Sequence, residues 1–159
     1  LENINYNNEN NIIDDFISSL IDSMAYWISL NNEEPVRLQW CHFAIMKNGS
    51  SNPTHLDLVK IQKNKKLYSA MLYLNENYDG GELYFPKTDT MIKPKTGDFV
   101  FFKSDDTTPH EVKLVTNGDR KNLVAFFTDD ENFNLQKYND KLKKRIIEGK
   151  KSIYTYDTI

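Results

Sequence analysis

The sequence predicts a mainly β structure of the sandwich or barrel type with flanking helices, an α+β arrangement. Two observations predict it. From residue 36 onward, short segments rich in β-branched and aromatic residues alternate with Gly, Pro, Asn and Asp, as strands joined by tight links do. On either side of that region, apolar residues recur at helical rather than alternating intervals.

The first element is an amphipathic helix over 12–30, with Ile12, Ile13, Phe16, Ile17, Leu20, Ile21, Met24, Trp27 and Ile28 on one face and an Asn-rich stretch able to cap it. Strand segments follow at 36–46, 56–61, 67–74, 82–85, 98–103, 110–115 and 122–128. Their connectors, 47–54, 75–81, 93–97, 104–109 and 117–119, are polar and turn-rich, as hairpin and Greek-key links are. The segment 135–148 carries Leu135, Tyr138, Leu142 and Ile146 on one stripe, with Lys137, Lys141, Lys143, Lys144 and Arg145 mostly elsewhere. That pattern predicts a C-terminal helix with a solvated basic face. The chain 1–159 reads as one domain: helix 12–30, a β core of about 36–129 and a helical tail within 133–159.

Composition narrows the function classes. A chain of 159 residues buries roughly 70% of its unfolded surface, and 39% hydrophobic residues supply a core, so a disordered or fibrous chain is excluded. The longest apolar run, around 99–102, is far short of the ~18 residues of a membrane-spanning helix. A net charge of −3 gives no general attraction to nucleic acid or anionic lipid. Cys41 stands alone, which excludes an internal disulfide, and the expectation is a reducing, cytoplasmic compartment. The start at Leu1, with no basic-then-apolar leader, reads as a trimmed one.

The chemistry concentrates in His55-Leu56-Asp57 and, far along the chain, His110. On a strand, residues two apart share a face, so the His55 imidazole and the Asp57 carboxylate can converge on one ion while a distant strand brings a third ligand. Two histidines and one carboxylate on one side of a metal leave open positions, the facial arrangement of non-heme Fe(II) oxygenases. The H-x-D pair alone is a weak signal. Its neighbourhood adds more: after His110 and a Gly118 turn, Arg120 and Asn122 share one face of a Val/Phe-rich strand. A guanidinium pointing into a barrel costs several kcal/mol unless it meets an anion, and its fork suits a carboxylate. With three arginines against seventeen lysines, the choice of Arg there carries information. Cys41 and His42 read as barrel residues on opposite strand faces, and Glu111 as a solvent-facing neighbour of His110.

Taken in order, these residues resemble the Fe(II)- and 2-oxoglutarate-dependent dioxygenases, in the prolyl 4-hydroxylase-like branch. The resemblance covers about 36–129. Its landmarks are His55 and Asp57, Tyr73-Leu74-Asn75, Gly80-Gly81-Glu82-Leu83, Phe85-Pro86, Lys93 to Asp98, His110-Glu111-Val112 and Arg120. It implies a double-stranded β-helix, the jelly roll also used by cupins. It also implies that His55, Asp57 and His110 ligate Fe(II), that Arg120 pairs with the distal carboxylate of 2-oxoglutarate, and that Tyr73 donates its hydroxyl to that carboxylate. Asn122 takes the place of a serine that often contacts the same group. Met46 falls where many relatives carry a cosubstrate-holding tyrosine, Phe126 where some carry a tryptophan near the peptide, and Lys66 where some carry a substrate-contacting arginine.

The implied activity is peptidyl-proline 4-hydroxylation of a peptide or protein. It consumes 2-oxoglutarate and O2, releases succinate and CO2, and takes ascorbate as an auxiliary reductant. Asp57 argues for hydroxylation, since halogenating relatives lack that carboxylate. Hydroxylation of a free amino acid or small metabolite is the runner-up, and oxidative demethylation of nucleic acid ranks third. A metal-binding jelly-roll module without enzymatic activity is the reading from a different class, and Arg120 discriminates it, because such a module has no need of an inward guanidinium.

Overall fold

A computed structural model describes residues 9–57 and 65–133. In chain order the elements are α1 (Glu9–Asn32), β1 (Arg37–Met46), β2 (Asn52–His55), β3 (Leu67–Tyr73), β4 (Asp79–Gly80), β5 (Leu83–Phe85), β6 (Thr90–Ile92), β7 (Phe99–Lys103), β8 (His110–Val112), β9 (Val115–Asn117) and β10 (Arg120–Thr128). Helix α1 runs slightly past the predicted 12–30 at both ends. Its last turn is closed by the amides of Asn31 and Asn32, which donate to the carbonyls of Trp27 and Ile28, and it stops where Glu33 turns left-handed at φ 56°. No described helix is long and apolar enough to cross a membrane.

The strands form two antiparallel four-stranded sheets, ordered β1-β10-β3-β7 and β2-β8-β5-β6, with a small β4-β9 pair. In the first sheet, Tyr68 and Ala70 of β3 and Leu123, Ala125 and Phe127 of β10 point outward and pack beneath Met24 and Ile28 of α1. The alternate residues point inward, where Met71 and Tyr73 meet Leu83 and Val112 of the second sheet. This is the jelly-roll sandwich the resemblance implied, with one core under the helix and another between the sheets.

Two departures from the sequence reading have simple causes. Strand β2 falls at Asn52–His55, largely in a segment read as a connector, because Asn52 pairs with Val112 and His55 with His110, and 58–61 of the strand expected at 56–61 lie outside the described residues. Pro53 is tolerated there because β2 is an edge strand. The short strands β4 and β9 overlap segments read as connectors, and β6 lies in a stretch assigned to neither strand nor connector, since two- or three-residue pairings carry no periodicity to read. The expected C-terminal helix over 135–148 lies outside the described residues, as do 58–64.

Candidate active site

Strand β2 ends on His55, directly opposite His110 at the start of β8, and the two imidazoles sit 4.4 Å apart between centroids. Asp57 follows just past the strand, and its carboxylate turns in between them: Oδ1 is 3.5 Å from His55 Nε2 and Oδ2 is 3.4 Å from His110 Nε2. The convergence therefore comes from the chain leaving β2 rather than from strand alternation. The ligand atoms of His55, Asp57 and His110 all lie within 4.8 Å of one another.

Each imidazole is held in one orientation. Nδ1 of His55 is 2.8 Å from the Pro53 carbonyl and Nδ1 of His110 is 3.1 Å from the Thr108 carbonyl. A carbonyl only accepts, so the proton resides on Nδ1 and the Nε2 lone pair of both rings faces Asp57 and the space between. Phe102 packs against His110 with centroids 4.7 Å apart, walling it from water. Ser69 donates to Asp57 Oδ2 at 2.6 Å and lies 2.6 Å from the hydroxyl of Ser104.

The electrostatics suit a cation. Burial works against the Asp57 anion, but the His55 hydrogen bond, the charge of His110 and the Ser69 hydroxyl outweigh it, holding the carboxyl below its ordinary range. For His55, burial opposes the charged ring, yet the bond to Asp57 and the Pro53 carbonyl prevail and push it up. Burial dominates for His110 and pulls it down. Two neutral or readily neutralised imidazoles and one carboxylate form a donor set that fits ferrous iron.

A second cluster lies further along the inner face. Arg120 begins β10, is 2% exposed, and makes no ion pair among the described residues. Its Nη2 donates to the Tyr73 hydroxyl at 3.0 Å, and its Nη1 donates to Asn122 Oδ1 at 3.0 Å and approaches Met46 Sδ at 3.7 Å. Among the described residues its Nε, and the hydroxyl of buried Tyr78, have no hydrogen-bond partner. Gly81, at φ +66°, makes room: a Cβ there would lie 3.1 Å from Arg120 Cδ and 3.2 Å from Tyr78 Cε2. A buried cation with donors left over and no counter-charge among the described residues is matched to an anionic ligand.

The structure thus brings His55, Asp57 and His110 into one cluster and Arg120, Tyr73, Asn122 and Met46 into another. Phe126 faces inward beside Ser69. Lys66, expected at the substrate, is placed elsewhere. Its ammonium pairs with Glu34 at 2.6 Å, the same carboxylate that accepts from Tyr68, so it lies on the helix side of the sheet. Strand alternation explains this, since Lys66 shares the outward face of Tyr68 and Ala70. Sequence reasoning missed Ser69, Ser104 and Tyr78, and singled out Gly81 as a landmark without its place against Arg120. A lone serine within Leu67–Tyr73 was the one available signal.

Residues 41–128 match the family model described as the 2OG-Fe(II) oxygenase superfamily. Prolyl 3-hydroxylase 2 of Mus musculus is 37% identical over 101 residues, covering 53% of this chain and 14% of that protein. Prolyl 3-hydroxylase 1 of Homo sapiens is 43% identical over 68 residues, covering 40% of this chain and 9% of that protein. The chain therefore spans a small part of the length of these curated relatives. Among solved structures, the viral collagen prolyl hydroxylase of Paramecium Bursaria Chlorella virus-1, in its 2OG complex, aligns with a TM-score of 0.58 at 22% identity over 78% of this chain and 75% of that chain. A Trichoplax adhaerens prolyl hydroxylase in complex with a hypoxia inducible factor peptide fragment aligns at 0.57 and 24% identity, over 74% of this chain and 56% of that one. At these identities the likeness establishes the fold.

Proposed function

Because the chain belongs to the 2OG-Fe(II) oxygenase superfamily, we propose that it hydroxylates prolyl residues of a peptide or protein, using Fe(II), 2-oxoglutarate and O2. The observation that carries the reading is Arg120, a buried guanidinium without a counter-charge among the described residues, on the same inner face as Ser69, whose hydroxyl holds Asp57 of the His55–Asp57–His110 cluster. A structural metal site has no use for it. The names of the relatives at 37% and 43% identity, both prolyl 3-hydroxylases, support the substrate class.

His55, Asp57 and His110 would hold the iron, with Asp57 supplying the compensating negative charge and the two carbonyl-anchored rings presenting Nε2. Bound together, iron, 2-oxoglutarate and O2 supply the oxidising power: one oxygen atom enters succinate as CO2 departs, and the other enters a substrate C–H bond. What the protein contributes is placement and charge. Arg120 offsets the desolvation of the distal carboxylate. Nη2 donates into the Tyr73 oxygen, and the Tyr73 proton, directed at Met71 Sδ 3.8 Å away, would exchange that weak acceptor for the carboxylate. Asn122 spends its carbonyl on Nη1 and keeps its NH2 as a donor, and the Met46 thioether lies against the guanidinium. The Phe102 and Phe85 rings keep water from His110.

The ring carbon is a finer point. The resemblance pointed to C4, whereas the names of the sequence relatives favour C3, and acid hydrolysis of the product separates 3- from 4-hydroxyproline. The test is succinate formation from 2-oxoglutarate, with Fe(II) and O2, in the presence of a Pro-Pro-Gly repeat peptide. Turnover stimulated by peptide and abolished in His110→Ala and Arg120→Ala supports the reading. Folded, metal-loaded protein that neither binds 2-oxoglutarate nor forms succinate overturns it in favour of a non-enzymatic module.

A further inference from the structure

Two buried donors at the second cluster have no partner among the described residues, Arg120 Nε and the Tyr78 hydroxyl. Tyr78 is 6% exposed and immediately precedes β4. Its main chain is pressed against the turn that leads into β10: a Cβ on Gly118, where φ is +69°, would stand 2.6 Å from the Asn77 carbonyl oxygen and 3.2 Å from Tyr78 Cα. Its ring is located at Gly81, where a Cβ would meet Tyr78 Cε2 and Val115 Cγ2 at 3.2 Å each and Arg120 Cδ at 3.1 Å. Nε is bonded to that Cδ, and the phenol oxygen lies one carbon beyond that Cε2. The two unpartnered donors therefore border one space.

Phenylalanine offers the same ring, so the Tyr78 oxygen is kept against the cost of burying a hydroxyl with no partner. Burial holds the Tyr78 and Tyr73 phenols above their ordinary value against the pull of the Arg120 charge, so both keep their protons beside the guanidinium. Tyr73 accepts from Nη2 and has only the Met71 thioether, 3.8 Å away, for its own proton. Met46 Sδ, 3.7 Å from Nη1, can accept weakly and cannot donate. The space is bordered by two phenol protons and a cation, and no acceptor of matching strength faces them.

We propose that Tyr78 is a further cosubstrate-binding residue, whose hydroxyl donates to the distal carboxylate of 2-oxoglutarate alongside Arg120 and Tyr73. The inference rests on 2-oxoglutarate being the cosubstrate, and it adds a residue that none of the family landmarks includes. A carboxylate brings two oxygens with about four lone-pair sites, enough to accept from a guanidinium N–H and from both phenols. A site that spends buried donors on one group of its ligand rejects an analogue lacking that group, because the donors are then left unpaired. Tyr78 thereby helps the pocket choose a dicarboxylic over a monocarboxylic 2-oxo acid.

The experiment measures ligand binding by calorimetry to wild type and Tyr78→Phe, each loaded with Mn(II) so that no turnover intervenes. Two ligands are compared: 2-oxoglutarate, and 2-oxopentanoate, which keeps the keto acid and the chain length but lacks the distal carboxylate. In Tyr78→Phe the affinity for 2-oxoglutarate is expected to fall about 10- to 100-fold, the worth of a hydrogen bond to a charged group, while that for 2-oxopentanoate stays within about twofold. Without ligand the variant should melt no lower than wild type, since the hydroxyl has no partner to lose. Unchanged affinity for 2-oxoglutarate overturns the assignment. So does an equal loss for both acids, which marks the ring as pocket wall, or a lower melting temperature without ligand, which shows the hydroxyl already spent within the protein. Each of these leaves the cosubstrate reading standing. Metal-loaded wild type that binds no 2-oxoglutarate overturns that reading, and the assignment of Tyr78 with it.

Discussion

Ser69 Oγ lies 2.6 Å from the Asp57 carboxylate, a polar contact made from the inward face of an otherwise apolar strand. The bond fixes the carboxylate that stands between the two histidines, and Ser104, 2.6 Å away, fixes the serine in turn. Outer groups that orient a metal ligand commonly tune affinity by 10- to 100-fold. Ser69→Ala should therefore weaken Mn(II) binding by about 10-fold while the protein stays folded. Calorimetry of Mn(II) binding tests this, and equal affinity in the variant would show that Asp57 is oriented without it.

Gly81 and Gly49 both have positive φ, at +66° and +87°, but only Gly81 has neighbours where a Cβ would stand. Alanine at either position strains the backbone by ~1–3 kcal/mol. At Gly81 the new methyl must also displace Arg120 Cδ, Tyr78 Cε2 or Val115 Cγ2. Gly81→Ala is expected to lower 2-oxoglutarate affinity as well as stability, and Gly49→Ala to lower stability alone. Thermal shift with and without saturating 2-oxoglutarate separates the two, because ligand bound to the native state raises the melting temperature.

The pH dependence of metal binding follows from opposite shifts at the two histidines. Iron needs the Nε2 lone pairs, and His55, pushed up by Asp57 and the Pro53 carbonyl against its burial, is the first to be protonated as pH falls. His110, pulled down by burial, resists longer. Affinity for Co(II) should begin to fall above the ordinary histidine range with a one-proton slope, steepening only at more acidic pH. Asp57→Asn should move the onset to lower pH while weakening binding overall. In the metal-free protein the sign reverses for His55. Its raised value contributes stability that is complete below 6.5, the unfolded value, and is lost as pH rises through the folded one. Imidazole resonances followed by NMR should give a higher midpoint for His55 than for His110, and the reverse order would contradict the geometry.

Glu34 anchors the end of α1 to the sheet through two partners that differ in burial. Tyr68 is 1% exposed and its hydroxyl donates to Glu34 at 2.5 Å, whereas the Lys66 side chain is 44% exposed. Glu34→Ala leaves a buried hydroxyl without an acceptor and should cost ~1–3 kcal/mol. Lys66→Ala removes a half-exposed ion pair and should cost less than ~1 kcal/mol. Urea denaturation of both variants measures the difference, and equal effects would mean that the ion pair, not the phenol, holds the helix.

Much of this protein is written in local patterns. Alternation put Arg120 and Asn122 on one face of their strand, the Gly and Asp turns bounded the strands, and residue chemistry singled out His55, Asp57, His110 and Arg120, because each of these depends only on neighbours in the chain. Tertiary structure decided the rest. The start of β2 at Asn52 and the short pairings β4–β9 and β5–β6 depend on which distant strand lies alongside. Lys66 faced away from the site because its strand alternation was joined to the position of α1. Ser69, Tyr78 and Gly81 gained their roles only when a strand or loop remote in sequence put Asp57 or Arg120 against them. Periodicity reports which side of an element is buried, and only the packing of one element on another determines what it is buried against.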